Sequence, residues 1–139
     1  MMICSACLLG VCCRYDGRSK PHQGVVSLLG QEALIPVCPE QLGGLSTPRL
    51  PVEIHDRRVL AQDGTDVTRA FQRGAQEVLE VARLMGISKA LLKQRSASCG
   101  CGQVYDGTFS GIIIPGDGVT TALLKSEGIE VWTEESFPF

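Results

Sequence analysis

The apolar residues of this chain fall in short runs, separated by polar stretches that are rich in glycine and proline. Short runs bounded by turn residues predict buried strands, at residues 1–6, 33–37, 87–93 and 129–132. From Val67 to Met85 apolar residues instead recur at helical spacing, which predicts an amphipathic core helix that ends at Gly86. Asp66 or Thr65 is placed to cap this helix. Shorter helices are expected at residues 23–30 and 119–126.

The remaining segments predict turns and peripheral structure. Residues 53–62 alternate loosely, which indicates an edge hairpin, and residues 104–117 carry turn signals around an apolar stretch at 112–114. The alternation of strands and helices favours an α/β fold with a mainly parallel sheet. We expect a single domain over residues 1–139, built as a three-layer, Rossmann-like sandwich.

Composition places the chain among ordinary globular proteins and removes several function classes. Its 139 residues, 44% hydrophobic and 20% charged, suffice for one real core. The net charge of −2 gives no strong field for nucleic acid, so no nucleic-acid partner is expected. No apolar run approaches membrane-spanning length, and the start lacks a signal-peptide pattern. We therefore expect a cytoplasmic protein without a membrane partner.

Seven cysteines are many for a chain of this size. Their odd number, together with the expected cytoplasmic location, argues against a disulfide framework. Metal binding or thiol chemistry is the better explanation, and burial as small apolar side chains is the plain alternative. That alternative is favoured for Cys4 and Cys12, which lie beside other cysteines in apolar surroundings.

Three further cysteines follow predicted strands. Cys7 follows residues 1–6 and Cys38 follows residues 33–37, where Pro39 favours an extended conformation for Cys38. Cys99 lies on a turn of small residues after the third strand, where we expect its thiol in the open. Ligands of parallel sheets bind outside the carboxyl ends of the strands. The predicted fold would therefore gather the three thiols at one edge.

Three thiols at one edge leave several kinds of chemistry open. Thiolates select zinc, copper(I) or iron–sulfur clusters. A closed zinc site needs four ligands, with Cys4 and Cys7 or Cys99 and Cys101 as close pairs. Three ligands suit a four-iron, four-sulfur cluster with one iron free to act as a Lewis acid. A thiol–disulfide protein that uses Cys4-x-x-Cys7 is the third hypothesis.

Two polar features accompany the thiols. Residues 14–22 form a basic loop with Tyr15 among the charges, and this loop is either a solvated surface turn or one wall of a pocket for a polar or anionic ligand. Glu40 lies two residues after Cys38, where it suits general acid–base work or pairing with an arginine.

Longer motifs carry a resemblance to a known family. They cover nearly the whole chain, at residues 5–10 (SACLLG), 13–17 (CRYDG), 36–44 (PVCPEQLGG), 66–68 (DVT), 96–100 (SASCG), 105–111 (YDGTFSG) and 116–120 (GDGVT). The chain thereby resembles a family, once catalogued as a domain of unknown function, that includes the 2-thiouracil desulfidases.

The resemblance implies an oxygen-sensitive [4Fe-4S] cluster held by Cys7, Cys38 and Cys99, with one iron left free. It also implies an enzyme that removes sulfur from a thiolated nucleobase such as 2-thiouracil. Water attacks the thiocarbonyl carbon, and sulfur leaves as hydrosulfide. The partner is then a small thio-heterocycle; the actual substrate and the oligomeric state stay open. So does the alternative of a zinc-stabilised or thiol-redox binding protein without this activity.

If the chain catalyses this reaction, polar side chains near the cysteines are our candidates for the remaining roles. The candidates for proton handling are Glu40, Ser96 and Ser98. The candidates for binding the heterocycle are Arg14, Tyr15 and Asp16.

Several residues depart from or complicate the family pattern. Ala97 stands where the motif is expected to carry proline, which loosens the turn before Cys99. Cys13 belongs to the motif and competes with Cys7 as a ligand; Cys7 is preferred because it directly follows the strand. The further thiols are extra to the motif and could supply a fourth ligand or a resting disulfide; they are Cys12 and Cys101.

Overall fold

The computed structural model describes residues 1–139 and confirms the expected alternation of strands and helices. None of its helices has the apolar length that a membrane crossing requires. The elements in chain order are β1 (Met2–Ser5), α1 (Gln23–Leu28), β2 (Leu34–Val37), α2 (Pro39–Leu42), β3 (Val52–His55), β4 (Arg58–Ala61), α3 (Thr68–Met85), β5 (Lys89–Leu92), β6 (Val104–Tyr105), β7 (Ile113–Ile114), α4 (Val119–Ser126) and β8 (Glu130–Thr133).

Four of these strands form one sheet in the order β2-β1-β5-β8. β1 is central and pairs in parallel with β2 on one side and β5 on the other, and β8 extends the sheet beyond β5, also in parallel. The carboxyl ends of all four strands therefore share one edge, and the loops after β1, β2 and β5 meet there.

Helices cover both faces of the sheet, which confirms the predicted layered α/β architecture. Successive side chains of β1 point to opposite faces, so Ile3 packs on the side of α3 and α4, and Met2 and Cys4 pack on the side of α1. The first face buries the apolar stripe of α3, including Val78, Leu79 and Ala82. Burial of that stripe, rather than helix propensity, fixes α3 on the sheet.

Two small antiparallel hairpins lie outside the main sheet. β3 pairs with β4, as residues 53–62 predicted, and β6 pairs with β7 inside the segment expected to contain turns. Glu53 links the two hairpins, because its Oε1 accepts the backbone N–H groups of Gly107 (3.0 Å) and Phe109 (3.1 Å).

The structure adds two short helical turns that the sequence patterns did not indicate. Ala6–Leu9 form a turn of 3₁₀ helix directly after β1, and α2 begins at Pro39, which occupies the first turn where its missing N–H costs nothing. Cys7 and Cys38 thus lie on or at the start of helical turns. At α3 the helix begins at Thr68, whose N–H bonds the Asp66 carboxylate at 2.9 Å.

α2 lies unusually close to α3 because glycines face each other at their crossing. A methyl group on Gly43 would overlap the carbonyl of Ala70, and one on Gly74 would overlap the carbonyl of Pro39. The close approach fixes the position of α2, and with it the residues immediately before and inside its first turn, Cys38 and Glu40.

Candidate functional site

A cavity of about 490 Å³ opens at the carboxyl edge of the sheet. Four of the seven cysteines line it: Cys7, Cys13, Cys38 and Cys99. Their segments follow three different strands, which is why residues so distant in sequence meet here. The structure therefore brings together the three cysteines predicted as ligands, and it adds Cys13 to the same cavity.

Cys7 and Cys13 reach the cavity from the segment that follows β1. Cys7 lies in the 3₁₀ turn, and Gly10 ends that turn in the left-handed conformation with φ 104°. Cys13 is buried, and its thiol, like those of Cys7 and Cys38, lines the cavity as a free thiol. Its carbonyl is an acceptor, 3.7 Å from the Cys38 sulfur. Both residues that the sequence offered as the first ligand, Cys7 and Cys13, therefore line the same cavity.

Cys38 stands at the junction of β2 and α2. Its φ of −122° and ψ of 104° are extended, as expected for a residue before proline. The helix that starts at Pro39 turns the chain back at once, so Glu40 also faces the cavity.

Cys99 is buried, with 4% of its surface exposed, so the expectation of an open thiol was wrong. The Ser96 hydroxyl accepts the N–H groups of Ser98 (3.1 Å) and Cys99 (3.0 Å), and the Thr121 hydroxyl donates to the Cys99 carbonyl (2.7 Å). Gly118 packs against the same backbone, where a Cβ would come within 2.5–2.7 Å of Ser98 and Cys99. The small residues of this loop permit close backbone packing rather than exposure.

Ser98 connects the third thiol to the carboxylate of Glu40. Its hydroxyl lies 2.8 Å from Glu40 Oε2, 2.9 Å from Ser96 Oγ and 3.5 Å from Cys99 Sγ. The other carboxylate oxygen, Oε1, accepts Arg49 Nε–H at 2.9 Å. All three proposed proton-handling residues therefore lie in one hydrogen-bonded chain beside the thiols.

Three of the four cavity thiols, those of Cys13, Cys38 and Cys99, have a raised pKa when no metal binds them. Burial raises the pKa of Cys99 to about 12. The hydrogen bond with Cys13, followed by burial, raises the pKa of Cys38 above its usual range. For Cys13 the hydrogen bond with Cys38 lowers the pKa, but the hydrogen bond with Cys7 and burial outweigh it and raise the pKa to about 11.

This donor set fits an iron–sulfur cluster. The cavity offers buried soft ligands from separate loops, and a bound metal would displace their protons. No three His, Cys, Asp or Glu side chains surround a point suited to one metal ion. A four-iron cluster would not need such a point, because each of the three thiolates would hold a different iron atom. The zinc hypothesis does need several ligands around one point, and the structure shows no such group.

The other three cysteines do not line the cavity. Cys12 is exposed, which contradicts its expected burial, because it precedes the turn that carries Cys13 inward. Cys101 is half-buried, with its sulfur 3.9 Å from the Val131 carbonyl. Cys4 is fully buried, and burial raises its pKa to about 12. A buried thiol of raised pKa is a poor nucleophile, so the structure gives the Cys4-x-x-Cys7 redox hypothesis no support.

The basic loop contributes to the cavity in part. Arg14 and Tyr15 line it, with the Arg14 guanidinium 5.8 Å from the centre of the Tyr15 ring. Asp16 is not among the lining residues; its carboxylate accepts the Arg18 N–H at 3.0 Å and lies 3.9 Å from Arg14 Nε. The structure therefore places Asp16 where it shapes the turn that presents Arg14 and Tyr15.

Sequence reasoning did not identify Arg49. The arginine follows a Thr-Pro pair, and its side chain returns to the cavity to meet Glu40 and the Cys13 carbonyl. A lone cation in a proline-rich loop, nine residues after the carboxylate it meets, is a weak sequence signal. Ser5 was also missed: it lines the cavity, and its hydroxyl accepts the Lys93 N–H at 2.9 Å.

Comparisons with known proteins agree with this arrangement. The family model described as 2-thiouracil desulfurase matches residues 2–136. An uncharacterized protein, YbbK, from Bacillus subtilis (strain 168) is 40% identical over 144 residues, covering 96% of this chain and 95% of that protein. A solved structure, described as the [4Fe-4S]-dependent thiouracil desulfidase TudS, is 45% identical with a TM-score of 0.93, covering 99% of this chain and 92% of that one.

Proposed function

The chain belongs to the 2-thiouracil desulfurase family, and from this premise we propose that it is a [4Fe-4S]-dependent enzyme that removes sulfur from a thiolated nucleobase such as 2-thiouracil. The solved relative with the same fold is described as a desulfidase that depends on this cluster. We propose that residues 1–139 act as one desulfidase-like unit.

Cys7, Cys38 and Cys99 would hold the cluster. They come from the three loops that meet at the carboxyl edge of the sheet, and all three face the cavity. Cys13, whose carbonyl accepts the Cys38 thiol and whose own pKa is raised to about 11, is proposed as a protonated neighbour. When bound, the cluster supplies an iron without a protein ligand, which acts as a Lewis acid toward thiocarbonyl sulfur.

Glu40, Ser98 and Ser96 are proposed to handle protons. The reaction replaces sulfur by oxygen: a thiocarbonyl and water become a carbonyl and hydrogen sulfide, with no change of oxidation state at carbon. Water must lose protons and sulfur must gain them. Glu40 Oε2 can accept a proton from water at the cavity, and the Ser98 hydroxyl, 2.8 Å from it, can pass a proton toward the departing sulfur.

Arg14 and Tyr15 are proposed to bind the heterocycle, with Asp16 shaping their loop. The Tyr15 ring offers a flat apolar face, and a stacked ring needs no base-specific hydrogen bond. Arg14 supplies hydrogen-bond donors for carbonyl oxygens of the substrate. The substrate is thus expected to be a small, flat thio-heterocycle.

The observation that carries this proposal is the unbroken contact from Arg49-bound Glu40 through Ser98 to Cys99 within a cavity lined by four thiols. The loops proposed to hold the cluster and the side chains proposed to handle protons thus line the same cavity. A binding protein without catalysis would not need a carboxylate and two hydroxyls aligned beside its thiols.

Anaerobic reconstitution tests the proposal directly. The expected product is a brown protein with four iron and four sulfide per chain, as the cluster composition requires. Incubation with 2-thiouracil should release sulfide and form uracil in equal amounts. Stoichiometric zinc in place of iron would contradict the cluster, and iron-loaded protein that leaves 2-thiouracil and other thiolated bases unchanged would contradict the activity.

A further inference from the structure

Arg49 is the most deeply embedded cation at the cavity. Its side chain is 9% exposed, and its guanidinium donates to four acceptors. Nε bonds Glu40 Oε1 (2.9 Å), and Nη2 bonds the Cys13 carbonyl (2.9 Å). Nη1 bonds the Thr47 hydroxyl (2.9 Å) and the Ser46 carbonyl (3.2 Å).

The main chain of Arg49 is fixed as well. Its N–H donates to the Tyr15 carbonyl at 2.8 Å, so the residue joins the loop after α2 to the loop that carries Cys13 and Tyr15. A planar guanidinium with this many partners cannot turn without breaking several hydrogen bonds at once. The Arg49 guanidinium is therefore fixed in place, and it can fix the orientation of a side chain that bonds to it.

The group it holds is Glu40, whose side chain is 15% exposed. A carboxylate can rotate about its last bond, and only some rotations direct an oxygen toward Ser98. Arg49 engages Oε1, which leaves Oε2 for the Ser98 hydroxyl at 2.8 Å. Without the arginine, the rotation of the carboxylate would not be fixed.

We propose that Arg49 is a positioning residue for the desulfuration reaction, which acts through Glu40 by holding its carboxylate toward Ser98 and the cavity. The inference rests on the proposed function. A purely structural role would be different: Arg49 would then tie the two loops through the carbonyls of Cys13 and Ser46, and its loss would act independently of Glu40.

A double-mutant cycle distinguishes these roles. Arg49→Gln is compared with wild type in the reconstituted holoenzyme, and again in the Glu40→Gln background, with 2-thiouracil as substrate. We expect Arg49→Gln to lower kcat about 10- to 100-fold with KM changed less than about threefold, because misplacement of a catalytic group acts on the chemical step. Glu40→Gln should retain the cluster and lower kcat by about 100-fold or more. In that background Arg49→Gln should change kcat less than about twofold.

Three further measurements complete the test. Arg49→Lys keeps the positive charge but loses the planar guanidinium with its several N–H donors, so we expect a kcat between those of wild type and Arg49→Gln. An anaerobic crystal structure of Arg49→Gln should show the Glu40 carboxylate turned away from Ser98, which is a readout independent of activity. Arg83→Gln is the matched control: it breaks an exposed arginine–carboxylate pair with Glu127 (3.0 Å), and kcat should stay within about twofold of wild type.

Several outcomes would overturn the inference. Equal losses of kcat in both backgrounds would show that Arg49 acts without Glu40. Loss of iron, or failure of both Arg49 variants to fold, would assign it to the structural role. A fully active Glu40→Gln enzyme would remove the residue it positions. An iron-loaded wild type with no desulfidase activity would refute the proposed function itself, and the inference with it.

Discussion

Two loops border the same cavity and are built in different ways. Residues 94–101, which carry Cys99, are bonded from within: Gln94 Oε1 accepts the N–H groups of Arg95 and Cys101, and Ser96 Oγ accepts those of Ser98 and Cys99. Residues 14–20, which carry Tyr15, are held by backbone hydrogen bonds within their own turn and by bonds to the backbone of Cys7 and Arg49, and they leave much of their side-chain surface in solvent.

The difference matches the tasks proposed for the two loops. A cluster ligand must stay at one point, so its backbone is buried and its polar groups are satisfied by the Ser96 side chain of the same loop and by Thr121 of α4. A loop that admits a substrate must leave surface uncovered, and Tyr15 is 41% exposed. The comparison teaches that hydrogen bonds from side chains to the backbone are concentrated in the loop that carries the proposed ligand Cys99.

Cys99→Ala should have the largest effect of any change considered in these loops. It removes one of the three proposed ligands, and the two that remain cannot retain a cluster that needs three protein thiolates. We expect reconstituted protein with no visible cluster absorption and no sulfide release from 2-thiouracil. Iron content and absorption, both measured anaerobically, check this result.

Cys12→Ala is the matched control for Cys99→Ala. Cys12 is exposed and does not line the cavity, so iron content and activity should equal those of wild type. Cluster retention in Cys99→Ala would contradict the proposed ligand set. A loss of the cluster in Cys12→Ala would show that the exposed thiol has a role that the present contacts do not reveal.

Gly118→Ala should have the next largest effect, through the support of the Cys99 loop. The new methyl group would lie 2.5–2.7 Å from Ser98 and Cys99 backbone atoms, so either α4 or the loop must shift. Overpacking of this kind lowers the free energy of unfolding by about 1–3 kcal/mol. Urea unfolding of the cluster-free protein measures that loss, and iron content after reconstitution should fall with it.

Gly30→Ala is the control for Gly118→Ala, because the nearest atom to its new methyl would be the Ser27 carbonyl oxygen at an ordinary 3.7 Å. Its free energy of unfolding should stay within about 0.5 kcal/mol of wild type. Equal free energies of unfolding for the two variants would mean that the Cys99 loop can shift at no cost. The loop would then not be more rigidly packed than residues 14–20.

The sequence predicted the parallel α/β fold and the convergence of three thiols, for reasons that are local. Each strand is a short apolar run, and each cysteine follows its strand closely, so the rule for parallel sheets was enough to place Cys7, Cys38 and Cys99 at one edge. α3 was predictable to within a residue or two because its apolar stripe is long and Gly86 ends it in the left-handed conformation.

What the sequence did not predict depends on contacts between distant segments. Cys99 looked exposed because its neighbours are small, but the same small residues let Gly118 and α4 cover it. Cys12 looked buried because its neighbours are apolar, yet the turn leaves it outside. Arg49 meets Glu40 only because the chain folds back after α2, and no local pattern records that return.

Tyr15→Ala should have the smallest of these effects, and it tests the other side of the comparison. If Tyr15 stacks on the heterocycle at a half-exposed cavity wall, its loss should raise KM for 2-thiouracil about fivefold, or about 1 kcal/mol, with kcat and iron content unchanged. Tyr15→Phe keeps the ring and should match wild type. Arg18→Ala, an exposed change in the same loop outside the cavity lining, controls for general disturbance. An unchanged KM in Tyr15→Ala would make residues 14–20 a solvated turn, and substrate recognition would then belong to the opposite wall.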